Sequence, residues 1–228
     1  GQAYRGLGAD DQFTAASGVR FGLSSLAGAG RHWSGAAPEA SWEAVKTDAL
    51  AALEALGLGQ AKVQITRDAP SWFHPGRSGA IKLGPKVTLG VFGELHPDTL
   101  ASLDADGPVA AFEIYLGNLP PAKRKSTAKA ALDASDLQAV TRDFAFLVDA
   151  DTDAGLLVRA AAGADRELIS NVSVFDEFTG QGVPDGKKSL AIGVTLQPRD
   201  KTLTEVEIDA VAEKVVAGVA KATGGTLR

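Results

Sequence analysis

A loop that cannot be helical most constrains the fold of this chain. Within residues 172–197, VSVFDEFTGQGVPDGKKSLAIGVTLQ, three glycines and one proline fall within the seven consecutive positions 180–186. This density favours positive-φ and fixed-φ turn conformations. Polarity alternates strictly after the loop, which predicts a strand. Its apolar positions are Leu190, Ile192, Val194 and Leu196.

The opposite face of this predicted strand carries almost no bulky side chains. Its residues are Ser189, Ala191, Gly193, Thr195 and Gln197. A sheet face of small and hydroxyl side chains lets a large partner approach the backbone, as single-stranded nucleic acid does on several sheet modules. An ordinary solvated face is the alternative, and periodicity alone favours that alternative.

Composition bounds the class of protein. The 228 residues include 45% hydrophobic side chains, and the apolar runs are too short to span a membrane. The absence of cysteine excludes disulfides, thiolate zinc sites and cysteine nucleophiles, and it fits a cytoplasmic location. The chain also lacks methionine, so we expect it to be a piece of a longer protein.

The net charge of −5 argues against a general nucleic-acid binder. Residues 133–228 carry 10 Lys and Arg against 16 Asp and Glu, whereas residues 1–132 carry 13 against 12. Any nucleic-acid contact in the second half therefore needs a local patch. The candidates are Arg142, Lys187, Lys188, Arg199 and Lys201, for which solvated surface charge is the alternative.

The first half predicts a mainly antiparallel sheet with one long helix. Apolar periodicity places a helix over residues 38–56, ended by Gly57. Pro75, Gly76 and Gly79 predict a tight turn before a strand. The predicted strands are residues 19–23, 62–66, 80–83, 87–93 and 109–116, and residues 97–103 form a short helix.

Residues 119–134, which include Pro120, Pro121 and several lysines, predict a linker between two domains. A charged hinge is favoured over a phosphate-contacting segment. The predicted domains are residues 1–118 and 135–228.

Residues 135–228 predict the order strand, helix, strand, strand, helix, strand, which is the ferredoxin-like βαββαβ arrangement. Phe144, Phe146 and Val148 alternate in the first strand. Thr204 and Glu207 have the spacing of a capping box for the last helix. The fold class predicted for the whole chain is therefore α+β.

No group of residues predicts catalysis or metal binding. His32, His74 and His96 lack the spacing of metal ligands, and two of them precede proline in turns. Ser78 lacks a nucleophile elbow, and the Gly180–Gly186 stretch joins two strands instead of cradling phosphate before a helix. We therefore predict no catalytic residue and no metal site in this chain.

Several motifs together resemble the β subunit of bacterial phenylalanyl-tRNA synthetase, in its C-terminal part. They are Trp72-Phe73-His74-Pro75-Gly76-Arg77-Ser78, Gly93-Glu94-Leu95-His96-Pro97, Phe112-Glu113-Ile114, Arg142-Asp143-Phe144-Ala145-Phe146, Phe175-Asp176-Glu177-Phe178-Thr179-Gly180-Gln181-Gly182 and Lys187-Lys188-Ser189-Leu190-Ala191. The resemblance covers nearly the whole chain, and the ordered set is specific although no single motif is.

This resemblance implies a fold and a function. Residues 1–118 would be part of an inert class II synthetase-like domain with an antiparallel sheet, and residues 135–228 a ferredoxin-fold anticodon-binding domain. The family is an α2β2 ligase that joins phenylalanine to its tRNA using ATP and magnesium. Its active site lies on the α subunit, so this chain would need no cofactor of its own. The implied partners are the α subunit and phenylalanine tRNA, with neither DNA nor a membrane.

The resemblance also implies candidate site residues. The candidate tRNA-binding residues are Arg142, Phe175, Phe178, Lys187, Lys188, Ser189 and Ala191, and the two phenylalanines could stack a base. Their sequence parity differs, so we expect at most one of them to be exposed on the binding face. The structural turn residues are His74, Pro75, Gly76, Arg77, His96 and Pro97. The alternative function is a ferredoxin-like interaction or small-molecule regulatory module without tRNA binding.

Overall fold

The computed structural model describes residues 1–22, 39–59, 62–121 and 134–228, and the chain separates into two compact units, Gly1–Thr127 and Ala128–Arg228. Most of the predicted linker, together with His32 and Pro38, lies outside the described residues. The domain limits at residues 118 and 135 therefore remain predictions.

The first unit is a six-stranded antiparallel sheet in the order β1-β2-β6-β5-β4-β3. Its strands are β1 (Gln2–Tyr4), β2 (Gln12–Phe21), β3 (Gln64–Thr66), β4 (Phe73–Leu83), β5 (Val87–Leu95) and β6 (Val109–Tyr115). Its helices are α1 (Trp42–Ala55) and α2 (Pro97–Ser102), with 3₁₀ turns at Ala9–Asp11 and Leu116–Asn118. The mainly antiparallel α+β prediction is confirmed.

Helix α1 packs on this sheet through one apolar stripe. Val45, Ala49 and Leu53 are fully buried at helical spacing. Arg20 of β2 fixes the helix from the side, because its guanidinium donates two hydrogen bonds to the Asp48 carboxylate, at 2.6 and 2.9 Å. The bonds from Arg20 hold the pKa of Asp48 below its usual range. The pair thus links α1 to β2 with fork geometry.

The tight turn predicted at Pro75 and Gly76 is wrong, because these residues lie inside β4. Phe73 pairs with Leu95 and Ser78 pairs with Gly93, so residues 74–77 bulge out opposite a single residue of β5. A proline is tolerated there since a bulged residue owes no hydrogen bond to the ladder. The local sequence signalled a break in regular pairing, and the chain makes that break without leaving the sheet.

The second unit is a four-stranded antiparallel sheet covered on one side by two helices. Its elements are β7 (Val140–Asp149), α3 (Ala154–Ala162), β8 (Ile169–Phe178), β9 (Lys187–Leu196), α4 (Glu205–Thr223) and β10 (Thr226–Leu227). The strand order β10-β7-β9-β8 places β9 between two neighbours. This is the predicted βαββαβ sequence of elements.

One hydrophobic core joins the sheet to both helices of the second unit. Leu190, Ile192, Val194 and Leu196 of β9 are at most 2% exposed. They pack with β7, α3 and α4, whose buried residues are Phe146, Val148, Leu157, Ala161, Ile208, Val211, Val215 and Val219. The alternation noted in the sequence is therefore the division between core and outer face.

The last helix begins with the predicted capping box. Thr204 Oγ1 accepts from the Glu207 backbone N–H at 3.4 Å, and the Thr204 backbone N–H donates to Glu207 Oε2 at 2.9 Å. Lys201 Nζ lies 2.7 Å from Glu207 Oε1. Hydrogen bonds from Lys201 and then from Thr204 lower the pKa of Glu207 to about 2. Gly224 ends the helix at φ 68°, where a glycine is favoured.

We expect Ile192→Ala to lower the unfolding free energy of the second unit by about 2–5 kcal/mol, because it leaves a cavity in a closed core. Val206→Ala is the control, since Val206 is 78% exposed and its truncation changes stability by less than about 0.5 kcal/mol. All three tryptophans precede residue 73, so tryptophan fluorescence would not report on the second unit. The measurement is therefore the protection of the β9 amides from hydrogen exchange. Equal protection in the two variants would contradict this core.

We also expect Glu207→Gln to change the acid stability of α4. The folded pKa of Glu207 lies below the ordinary value of 4.5, so its carboxylate stabilises the helix above that value and loses this effect as the pH falls towards about 2. The wild type should therefore exceed the variant in α4 amide protection at pH 7, and the difference should vanish near pH 2. A difference that persists there would show that the carboxylate charge is not its cause.

Candidate nucleic-acid interface

The sheet of the second unit has one face under the helices and one face without them. We call these the helix face and the open face. Residues paired directly across an antiparallel ladder share a face. The buried residues of β9 therefore show on which face each pair of residues lies. Even-numbered β9 residues lie on the helix face, and odd-numbered ones lie on the open face.

Four cross-strand rows make up the centre of the open face. They are Thr141, Thr195 and Asn171; Asp143, Gly193 and Ser173; Ala145, Ala191 and Asp176; and Leu147, Ser189 and Phe178. The middle member of each row belongs to β9. Ser189, Ala191 and Gly193 form a lane of small residues that we call the central lane. Leu147 and Phe178 flank Ser189, which is only 5% exposed.

A β-bulge brings two phenylalanines to the open face. Val174 pairs with Ile192 and Asp176 pairs with Ala191, so two steps along β8 match one step along β9. The extra residue is Phe175, whose ring edge lies 3.9 Å from the position of a Cβ on Gly193.

Phe178 lies beyond the bulge, beside Ser189 on the same open face. Phe175 is 59% exposed and Phe178 is 41% exposed. The expectation that at most one of these rings is exposed is therefore wrong, because the bulge reverses the parity that the sequence implied.

Arg228 joins the open face from the chain end. Its backbone N–H donates to the Ala145 carbonyl at 2.8 Å, next to the Thr226–Leu147 pair. Its guanidinium carbon lies 5.9 Å from the centre of the Phe178 ring. The sequence predicted a final strand in this domain but no partner for it, so neither Arg228 nor its contact with Phe178 was predicted.

The predicted tRNA-binding residues divide between the two faces. Lys187 is on the open face with Phe175, Phe178, Ser189 and Ala191, and its Nζ lies 2.6 Å from Asp149 Oδ1. These five residues form one continuous surface with the central lane.

Arg142 and Lys188 are on the helix face and do not join this group. Arg142 pairs with Val194, and Lys188 pairs with Val148. Lys188 is 8% exposed, and its Nζ lies 3.3 Å from Glu177 Oε2. Both residues have the same parity as the buried apolar positions of their strands. They were predicted from the motif resemblance, which takes no account of this parity.

The predicted turn residues of the first unit hold the β4 bulge and the start of α2. His74 Nδ1 accepts from the Gly76 backbone N–H at 3.1 Å, and Arg77 Nη1 lies 3.0 Å from Glu94 Oε2 across the strand pair. His96 Nδ1 accepts from the Asp98 backbone N–H at 3.2 Å. His96 is the N-cap of α2, and Pro97 is the first residue of that helix, where a missing N–H is tolerated.

Acceptance by Nδ1 in both histidines leaves the Nε2 atom as the ring donor of the neutral form. The two rings are 6.5 Å apart between centroids. Within the described ranges, no three His, Cys, Asp or Glu side chains converge as a metal site would require. The described helices also include none that is long and apolar enough to cross a membrane.

Two family models match the two parts of the chain. Residues 22–116 match the phenylalanyl tRNA synthetase beta chain CLM domain. Residues 135–228 match the ferredoxin-fold anticodon binding domain, and this match contains the whole four-stranded sheet and its open face.

Bacterial proteins named phenylalanine–tRNA ligase beta subunit are similar over the full length of this chain. The protein of Bradyrhizobium diazoefficiens is 54% identical over 229 residues, that of Rhodopseudomonas palustris 55% over 230, and that of Nitrobacter winogradskyi 52% over 234. Each alignment covers 100% of this chain, which spans only 28–29% of the length of these relatives. The two matched domains and this full-length similarity show that the chain belongs to the phenylalanyl-tRNA synthetase β-subunit family.

Proposed function

We propose that this chain is a non-catalytic portion of a phenylalanine–tRNA ligase β subunit and that the open face of its second unit binds the anticodon region of phenylalanine tRNA. The observation that carries this proposal is the exposure of Phe175 and Phe178 on one face, beside the central lane. The match of residues 135–228 to an anticodon-binding family supports it.

The chemistry of the open face suits unpaired bases. An exposed ring offers a flat apolar surface to any base, and stacking contributes about 1–3 kcal/mol per base. The central lane lets a base approach the sheet backbone beside these rings, because Ser189, Ala191 and Gly193 project little. Stacking and base-edge contacts therefore dominate over attraction to phosphates, which a half-chain net charge of −6 would oppose.

The first unit has a supporting role in this proposal. It would contribute to the αβ core of an α2β2 enzyme, whose ATP, magnesium and active site belong with the α subunit. Such an enzyme works in the cytoplasm, with neither DNA nor a membrane as a partner. For the second unit, the match to an anticodon-binding family favours tRNA binding over a ferredoxin-like small-molecule or interaction module.

The decisive test is to titrate phenylalanine tRNA, with its GAA anticodon, and the same tRNA with an altered anticodon into this chain at two salt concentrations. We expect tighter binding of the native anticodon, and the ratio of the two affinities should persist at the higher salt. Phosphate contacts alone would weaken equally for both RNAs. Equal affinities would contradict anticodon recognition by this chain, and saturable binding of a metabolite without tRNA would favour the alternative module.

Substitutions on the two faces test where the RNA lies. Phe175→Ala and Phe178→Ala should each weaken binding of the native tRNA by about 1–3 kcal/mol, because each removes a stacking surface. Val206→Ala, which trims an exposed apolar side chain on α4, should leave the affinity unchanged.

Arg142→Gln is a second comparison, because it removes a cation from the helix face. It should leave the ratio of native to altered anticodon binding unchanged. Wild-type affinity in both phenylalanine variants, with a reduced ratio in Arg142→Gln, would place the RNA on the helix face instead.

A further inference from the structure

In the middle of the open face β9 has no side chain at Gly193, and we call the methyl-sized gap between the flanking side chains the recess. A Cβ on Gly193 would lie 3.3 Å from Asp143 Oδ1, 3.6 Å from Ser173 Oγ and 3.9 Å from Phe175 Cδ1. Asp143 and Ser173 are the direct neighbours of Gly193 on the two flanking strands. The recess thus has a backbone floor and three different walls, which are a carboxylate, a hydroxyl and an aromatic edge.

The Asp143 carboxylate is available to a ligand. Asp143 is exposed, and within the described part of the chain no hydrogen bond or ion pair engages it. Asp149 and Glu177 of this sheet are occupied, because Asp149 pairs with Lys187 and Glu177 pairs with Lys188. Asp176, in the next row of the open face, is exposed as well, but Asp143 is the carboxylate beside Gly193. An ionised carboxylate only accepts hydrogen bonds, so it attracts N–H and O–H donors and repels phosphate oxygens.

The three bases of a GAA anticodon offer suitable donors. All are purines, and each carries an exocyclic amino group, on C2 of guanine and on C6 of adenine. A base lying over the recess would present its edge to Asp143 while its ring contacts Phe175. Carboxylate side chains accept from base amino groups in the same way when proteins contact DNA.

We propose that Asp143 and the recess over Gly193 form a base-reading position in which the Asp143 carboxylate accepts a hydrogen bond from the amino group of one anticodon purine. This inference rests on the proposed function, and it adds a specificity-determining residue that lies apart from Phe178 and Arg228. Ser173 and Phe175 position the base, and the absence of a side chain at Gly193 keeps the surface beside Asp143 low.

The charge of Asp143 gives the test a definite sign. Removing a carboxylate from an RNA-binding surface raises affinity when only phosphate attraction matters. Removing a carboxylate that accepts from a base lowers affinity for that base. Asp143→Ala should therefore weaken binding of the GAA anticodon about 10-fold or more, the effect of a hydrogen bond to a charged group. Asp209→Ala on α4 makes the same charge change on the helix side and should not weaken it.

The experiment uses this whole chain with anticodon stem-loops that each lack one amino group. Inosine replaces guanine in the first position, and purine riboside replaces adenine in the second or the third. We expect the wild type to lose about 10-fold for one of these three RNAs, and Asp143→Ala to bind that RNA and the GAA loop equally. Gly193→Ala, which fills the recess but keeps the carboxylate, should weaken all four RNAs.

Two results would overturn this inference while leaving the proposed function intact. In the first result, Asp143→Ala and the wild type bind the GAA loop with equal affinity. In the second, Asp143→Ala loses as much affinity as the wild type does for each RNA that lacks an amino group. Failure of the wild type to distinguish GAA from an altered anticodon would instead remove the proposed function. Asp143→Asn, with amide exchange of β7 as a folding check, separates loss of charge from loss of structure.

Discussion

The burial of β9 between two strands and beneath two helices is the constraint on which the second unit depends. Leu190, Ile192, Val194 and Leu196 can all reach α3 and α4 only if every other residue of the strand points away. A one-residue slip would turn this whole apolar row towards solvent, so the register is strongly fixed. The residues between them are therefore held at the centre of the open face, in an order that the core dictates.

Position within the sheet explains how the open face divides its roles. The central strand β9 contributes the small residues of the open face, Ser189, Ala191 and Gly193. The edge strand β8 pairs on one side only, so it can accommodate an extra residue without disturbing a second ladder. That extra residue is Phe175, and the bulge places its ring beside Phe178. The paired central strand β9 and the bulged edge strand β8 together place aromatic rings beside the central lane.

Periodicity predicted most of the fold, because the apolar alternation of β7 and β9 and the helical stripe of α4 are local patterns. It failed at two bulges, at Phe175 in β8 and at residues 74–77 in β4, since a bulge depends on the partner strand. The alternation of β9 could also have excluded Lys188, which shares the parity of Leu190. Contacts from distant segments, such as Arg228 with Phe178, had no local signal at all.

On the proposed function, this acidic domain separates two tasks that many RNA-binding proteins combine. Phosphate contacts position a nucleic acid and give affinity, whereas contacts to base edges give specificity. The second half of this chain carries few unpaired cations on its open face, so it is poorly suited to hold an RNA by its backbone. On that proposal, its stacking and hydrogen-bonding groups supply the discrimination, and further contacts that raise the local concentration of the anticodon would add to the affinity. A domain of this kind gains discrimination from weak binding, because an incorrect anticodon finds no phosphate attraction to retain it.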